Sequence, residues 1–210
     1  MAIKAQSARL QAESTRAAAK TITAITLANP PVVSSATHGF TAGQIVYIEN
    51  IAGMVELNGR AFVVANPAAG TFELKGINAT GYTAYTSGGS ASLITLTDIA
   101  EVTSVSGFDG EASEIDTTNL RSTAKEYLVG LQDFGNVSLN VLLNNGDAGQ
   151  TLLRTIKGSA SAKVFSLTLS DAKVSAFVGL VKQFSFDASA DAAVTGQVSI
   201  RVTGEPSWFA

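Results

Sequence analysis

Alternation of apolar and polar residues dominates this chain and predicts β-strands over most of its length. The cleanest example is residues 137–143, where Val137, Leu139 and Val141 alternate with polar neighbours. A period of two places one face of a strand on a core and the other in water. Further strands are predicted over 114–118, 165–169, 174–187 and 198–202.

One segment breaks this period and predicts a helix. Leu152, Leu153 and Ile156 recur at helical spacing, Asp147 stands before them and Gly158 follows. An aspartate caps the free amides at a helix start, and glycine tolerates the conformation that ends one. The C-terminal part is therefore predicted to be an antiparallel β-domain with one packed helix.

The first 92 residues have a different texture. Residues 21–92 contain short β-runs separated by turn residues, which indicates a small barrel or sandwich. Gly88-Gly89 is predicted to be its exit, within a linker or exposed loop over 81–90. Residues 5–19 have helix-forming composition but little apolar face, so residues 1–20 are predicted to be a flexible arm that orders against a neighbouring subunit.

Composition indicates little ionic surface. Apolar residues make up 46% of the chain and charged residues 15%, against about 25% charged in an ordinary domain. Either neighbouring subunits cover much of the surface, or the surface is polar but uncharged; composition favours the second. Residues 93–210 carry eight Lys or Arg and thirteen Asp or Glu, a net charge of −5, which is the opposite of a protein that grips a duplex.

Candidate chemistry is sparse. The chain has no cysteine and one histidine, which excludes disulfides, thiolate metal sites and a histidine metal cluster. His38 is interpreted as a turn residue, and the acidic residues between 109 and 116 lack the spacing of a Ca²⁺ loop. We therefore expect no enzyme and no cofactor. Without a membrane-length apolar run or a signal-peptide core, we expect a protein made soluble in a bacterial cytoplasm.

An ordered set of short motifs resembles the major tail tube proteins of long-tailed bacteriophages. They are Ser106-Gly107, Ile115-Asp116-Thr117-Thr118-Asn119-Leu120, Gly130-Leu131, Asp133, Gly135, Val137 and Val202-Thr203-Gly204-Glu205-Pro206. The resemblance covers residues 93–210. It implies an antiparallel β-sandwich or half-barrel with one flanking α-helix, six subunits in a ring, and stacked rings forming a tube in the virion tail.

Residues 21–92 resemble a second family, a small SH3-like β-barrel module inserted in some phage virion proteins and similar to a half-domain of ubiquitin-activating enzymes. The motifs are Ser35-Ala36-Thr37-His38-Gly39-Phe40, Leu57-Asn58-Gly59-Arg60 and Gly81-Tyr82-Thr83-Ala84-Tyr85. We expect this module on the exterior of the tube, because an inward domain of this size would block the lumen.

The tail tube resemblance implies partners and candidate positions. The partners are further copies of the chain, a tape measure protein, a tail terminator and tail tip proteins, while double-stranded DNA passes without specific binding. An acidic wall would repel the duplex, so reversing several acids to lysine should slow ejection. The lumen candidates are Glu101, Asp109, Glu111, Glu114, Asp116, Asp187 and Asp191. Trp208 and Phe134 are candidates for subunit contacts, although Trp208 fits a core position equally well.

Two alternatives remain at this point. The chain could be a virion module that binds a receptor or glycan through residues 21–92. It could also be the inner tube of a contractile injection machine that delivers protein.

Overall fold

A computed structural model describes residues 6–159 and 161–208 and shows a mainly β protein. The first half of the chain supplies eight strands: β1 (Arg9–Arg16), β2 (Lys20–Thr21), β3 (Ala24–Ile25), β4 (Val32–Ser34), β5 (Ile45–Ala52), β6 (Arg60–Ala68), β7 (Thr71–Leu74) and β8 (Ser87–Asp98). A single 3-10 turn, Val55–Leu57, lies between β5 and β6.

The second half adds seven strands and, within the described residues, one α-helix. They are β9 (Val102–Gly107), β10 (Ala112–Asp116), β11 (Tyr127–Gln132), β12 (Asn136–Leu142), α1 (Ala148–Ile156), β13 (Lys163–Thr168), β14 (Val174–Asp187) and β15 (Thr195–Ser207). The strands predicted over 137–143 and 174–187 are confirmed. The helix is confirmed as well: the Asp147 side chain accepts a hydrogen bond from the amide of Gln150 at 2.7 Å.

One antiparallel sheet joins both halves of the chain. Its order is β3-β4-β7-β6-β5-β8-β1-β13-β14-β15-β12-β9, with β2 beside β8, and β10 and β11 form a separate hairpin. The sheet is mostly antiparallel, as predicted, and α1 packs on the inner face through Leu153 and Ile156. The long β8 belongs to both halves, so the predicted boundary between residues 92 and 93 falls inside a strand.

The prediction of an N-terminal arm is wrong for residues 9–16. These residues form β1, which pairs with β13 on one side and β8 on the other. Leu10 and Ala12 are 1% and 0% exposed, so pairing and burial override the helix-forming composition. Residues 1–5 of the predicted arm lie outside the described residues.

Two glycine predictions also need correction. Gly88 and Gly89 are not a linker but part of β8, with positive φ angles of 72° and 94°. A side chain at Gly89 would strike Ile51, so the close strand pairing there requires glycine. In β14 the register shifts lie on either side of Gly179, between Ala176 and Val178 and between Val181 and Gln183, rather than at Gly179 itself.

Three apolar clusters form the interior. The first lies inside residues 22–91 around Phe62 and Phe72, and the second lies under β12–β15 around Phe165 and Phe177. The third joins them: Ile45, Ala61 and Val63 of the first half pack with residues of β13 and β14, namely Val164, Ala176 and Val178. The two halves therefore share a core.

Candidate assembly surfaces

The outer face of strands β9, β12, β15 and β14 is polar and nearly uncharged. Two rows of paired residues cross all four strands on this side. One row is Ser104, Asn140, Gln197 and Ser185, and the other is Ser106, Ser138, Ser199 and Gln183. We call these eight residues the polar face. The residues between the rows, including Leu139 and Val198, are fully buried, so the face results from the period-two pattern.

Hydrogen bonds tie this face together across strands. The Asn140 amide donates to the Ser104 hydroxyl at 2.9 Å, and the Ser185 hydroxyl donates to the carbonyl of Gln197 at 3.4 Å. Formal charges occur only in the flanking rows, at Asp187 and Arg201. Such a surface presents hydroxyl and amide groups to water and has no charge with which to hold a polyanion.

The edge strand of this sheet is open. Among residues 6–159 and 161–208, no strand pairs with the outer edge of β9. Its Val105 lies opposite the fully buried Leu139 yet is 37% exposed, so the inward side of β9 is also uncovered. A cavity of about 460 Å³ opens there, lined by Val105, Phe108 and Trp208 among others. An unpaired edge beside apolar surface is a template for strand pairing with another chain.

A long hairpin projects from the sheet between β9 and β12. We call residues 111–132 the hairpin arm. It exposes six large apolar side chains to solvent: Ile115, Leu120, Tyr127, Leu128, Val129 and Leu131. Exposed apolar surface of this extent on a subunit marks an interaction site.

The root of the hairpin arm is held tightly. Asp133 pairs with Arg201 of β15, and the Asp109 carboxylate accepts the amide of Asn136 at 2.8 Å. The amide of Gly135 and then the Arg201 guanidinium stabilise the charged form of Asp133 and lower its pKa. Side chains at Gly110 and Gly135 would strike the backbone of the opposite strand, so glycine permits the close crossing at the root.

The structure divides the seven acidic candidates between the two ends of the sheet. Every one is exposed. Glu101, Asp187 and Asp191 lie where β12 ends, since the amide of Leu142 donates to the carbonyl of Glu101 and Asp187 pairs with Thr195. The others lie at the root or on the hairpin arm: Asp109, Glu111, Glu114 and Asp116. They form two groups and not one continuous lining.

The two aromatic candidates differ in their surroundings. Trp208 is 43% exposed and meets Phe108 edge-on at 4.8 Å between ring centres, at the mouth of the cavity beside β9. Phe134 is partly buried and packs against the core under β12 and β15. Trp208 is thus the more available of the two for a contact.

His38 has a structural environment. It is 4% exposed, its Nδ1 accepts the amide of Phe40 at 2.9 Å, and its Nε2 lies 2.8 Å from the carbonyl of Ala68. Across the described residues there is no cluster of acidic and histidine side chains suited to a metal ion. No helix in that part of the chain is both long and apolar enough to span a bilayer.

Sequence reasoning missed the polar face, although its signal was present. Ser or Asn recurs at every second position of β9 and β12, at Ser104, Ser106, Ser138 and Asn140. The analysis looked for charge in a lumen wall, whereas the pattern supplies uncharged hydrogen-bonding groups.

Comparison with known proteins identifies the second half of the chain. Residues 75–178 match the family described as phage tail tube, TTP, lambda-like. A curated relative, "Structural protein 3" of Pseudomonas phage PAJU2, is 27% identical over 127 residues, covering 50% of this chain and 77% of the relative. The chain is a phage tail tube protein. Its family and its relative are structural and not enzymatic, and its place is the virion tail.

Two further similarities concern other parts of this tail tube protein. Residues 30–94 match the ubiquitin-activating enzyme E1 FCCH domain, in agreement with the resemblance inferred from the motifs between 35 and 85. A solved structure titled "Tail of empty GTA particle computed with helical refinement, C6 symmetry" is 14% identical, with a TM-score of 0.44. It covers 64% of this chain and 92% of that chain.

Proposed function

We propose that six copies of this tail tube protein close into a ring, that rings stack into a hollow tube, and that the polar face lines the lumen through which double-stranded DNA leaves the capsid. The observation that carries the proposal is a four-stranded sheet with a core-packed side, a polar uncovered side and an open edge at β9. Such a sheet is completed when strands of another copy continue it.

The dimensions fit a conduit. Six copies of β9, β12, β15 and β14 supply about 24 strands, at about 4.8 Å spacing and about 40° tilt, which gives a backbone diameter of roughly 50 Å. Side chains narrow that opening and leave space for a duplex. The lumen wall is then mainly hydroxyl and amide, with acidic residues concentrated near the two rims of each ring.

This distribution of charge supports passage without binding. Cationic walls would hold DNA by releasing its counterions, whereas a neutral wall with acidic rims has no such attraction. Reversing Glu101, Asp187 and Asp191 to lysine should slow ejection and leave tube assembly intact. Normal ejection kinetics in that variant would remove the electrostatic part of the proposal.

The module at residues 21–92 lies outside the tube in this arrangement. Its apolar core is closed on itself, and it is joined to the tube domain by the shared cluster at Val63 and Val178. The tape measure protein would occupy the lumen during assembly, with tail tip proteins at one end of the tube and the terminator at the other. Synthesis in the host cytoplasm precedes this assembly.

Negative-stain microscopy of the purified protein at high concentration tests the proposal. We expect hollow filaments for the native chain. Val105→Lys places a charge on the inward side of the β9 edge and should prevent ring closure. The matched control is Val55→Lys, because Val55 is 56% exposed in the module and away from that edge. Filaments of normal appearance from Val105→Lys, or only monomers from the native chain, would contradict the proposal.

A further inference from the structure

The hairpin arm has a complement at the far end of the same sheet. A cleft of about 430 Å³ lies between α1 and the end of β14, and its lining combines cations with apolar side chains. We call it the cationic cleft. It is lined by Leu143, Asn145, Arg154, Lys157, Phe184 and Phe186.

The cleft presents charge and ring surface together. The Arg154 guanidinium lies 5.9 Å from the centre of the Phe184 ring and donates to the Asn145 side chain at 2.8 Å. The Lys157 ammonium lies 3.5 Å from the carbonyl of Phe184, and Phe186 is 72% exposed. No carboxylate lines this cleft. Its chemistry suits a partner that is both apolar and acidic.

One face of the hairpin arm has that chemistry. Tyr127, Val129 and Leu131 alternate along β11 and so point to one side, where they are 51%, 80% and 90% exposed. Glu114 pairs with Val129 and Asp116 pairs with Tyr127, which places both carboxylates on the same side. The arm therefore offers three apolar side chains flanked by two negative charges.

The arm and the cleft lie at opposite ends of β12. The arm joins the sheet beside Asn136, whose carbonyl accepts the amide of Phe108. Leu143 of the cleft follows the other end of the strand, about 20 Å away for seven residues. An arm that leaves from one end cannot fold back into the cleft of its own chain, but it can enter the cleft of another.

We propose that the hairpin arm of one copy seats in the cationic cleft of a second copy, with Val129 and Leu131 on Phe184 and Phe186 and with Glu114 facing Arg154 and Lys157. The contact joins two different surfaces, so it repeats head to tail and builds an open stack. The inference rests on the proposed tube and assigns its ring-to-ring contact. The occupant is a second copy because the charges of the two surfaces are opposite and their apolar areas correspond.

Engineered cysteines test the contact directly, because the native chain has none. Leu131→Cys and Phe186→Cys chains are mixed at filament-forming concentration and oxidised. We expect a disulfide-linked dimer in roughly tenfold excess over the control pair Leu131→Cys with Val55→Cys, since docking raises the local thiol concentration. A further pair, Leu131→Cys with Trp208→Cys, tests whether the arm enters the cavity beside β9 instead.

Charge reversal gives an independent readout. Arg154→Glu combined with Lys157→Glu should shorten filaments at least severalfold, and adding Glu114→Lys with Asp116→Lys should restore their length. Filaments that form without the 131–186 link, or that link 131 to 208, would overturn this inference and leave the proposed tube standing. Absence of both filaments and links from the native background would contradict the tube and the docking together.

Discussion

The guanidinium of Arg60 connects the two halves of the chain: its Nε donates to the backbone carbonyl of Glu205 at 3.1 Å, and its Nη1 lies 2.9 Å from the Glu205 carboxylate. The same Nη1 donates to the carbonyl of Glu56 at 3.1 Å. Arg60 is 5% exposed, so these bonds are largely shielded from water. Together with the shared apolar cluster, they fix the module rigidly to the tube domain.

Arg60→Ala should destabilise the protein by about 1–3 kcal/mol, because two carbonyls lose a charged donor in a shielded position. Chemical denaturation followed by circular dichroism measures the change. Glu205→Gln is the matched control: it removes the ion pair alone, and since the Glu205 carboxylate is 51% exposed we expect a cost under about 1 kcal/mol. Equal losses in the two variants would contradict the role given to the carbonyl contacts.

Removing residues 1–20 should abolish folding of the tube domain and not merely trim an arm. The deletion takes away β1, which lies between β8 and β13, and with it Glu13, whose carboxylate accepts the amide of Val164 at 2.8 Å. Loss of a central strand leaves two strands without their partner. Deletion of residues 1–5 serves as control and should leave β1 intact.

Proton exchange and limited proteolysis distinguish the outcomes of the two deletions. We expect the longer deletion to be digested throughout and the shorter one to retain protected amides in β13 and β14. A protease-resistant fold in the longer deletion would show that β1 is dispensable, in conflict with the burial of Leu10 and Ala12.

The root of the hairpin arm should loosen in acid. Asp133 has a lowered pKa in the folded chain because the Gly135 amide and Arg201 favour its charged form. A lowered folded pKa stabilises the root above the unfolded value of about 3.9, and this stability is lost as pH falls through the folded pKa. Amide exchange in residues 133–136 should therefore accelerate below about pH 4.

Asp133→Asn provides the comparison for this acid effect. The variant should exchange faster near neutral pH and show a smaller acceleration on acidification, because the titrating partner of Arg201 is gone. An unchanged acid response in Asp133→Asn would assign the effect to another carboxylate, for instance Asp109, which accepts the amide of Asn136.

Local patterns in the sequence predicted the elements whose cause is local. The alternation at 137–143 and the Asp147 cap correctly indicated β12 and α1, since burial period and capping act over a few residues. The same patterns failed at residues 9–16, where a short polar stretch becomes a strand only because β8 and β13 are brought to either side. Pairing over 80 to 150 residues of separation leaves no signal in the strand itself.

The candidate sites show the same division. The sequence identified the acidic residues near Asp116 but not their separation into two groups, because that depends on which ends of β12 and β14 meet. The shared cluster at Val63 and Val178 was equally hidden, as each residue only looks apolar in its own strand. The exposed side of the hairpin arm required the structure, which shows Leu131 uncovered.

A cryo-electron microscopy map of filaments grown from the purified native chain tests the central claim most directly. The account predicts a hollow tube whose inner wall carries Ser138, Asn140 and Gln197, with β9 paired to a neighbouring copy and the module outside. A map with the polar face buried between subunits, or with the β9 edge unpaired and the module lining the channel, would contradict it.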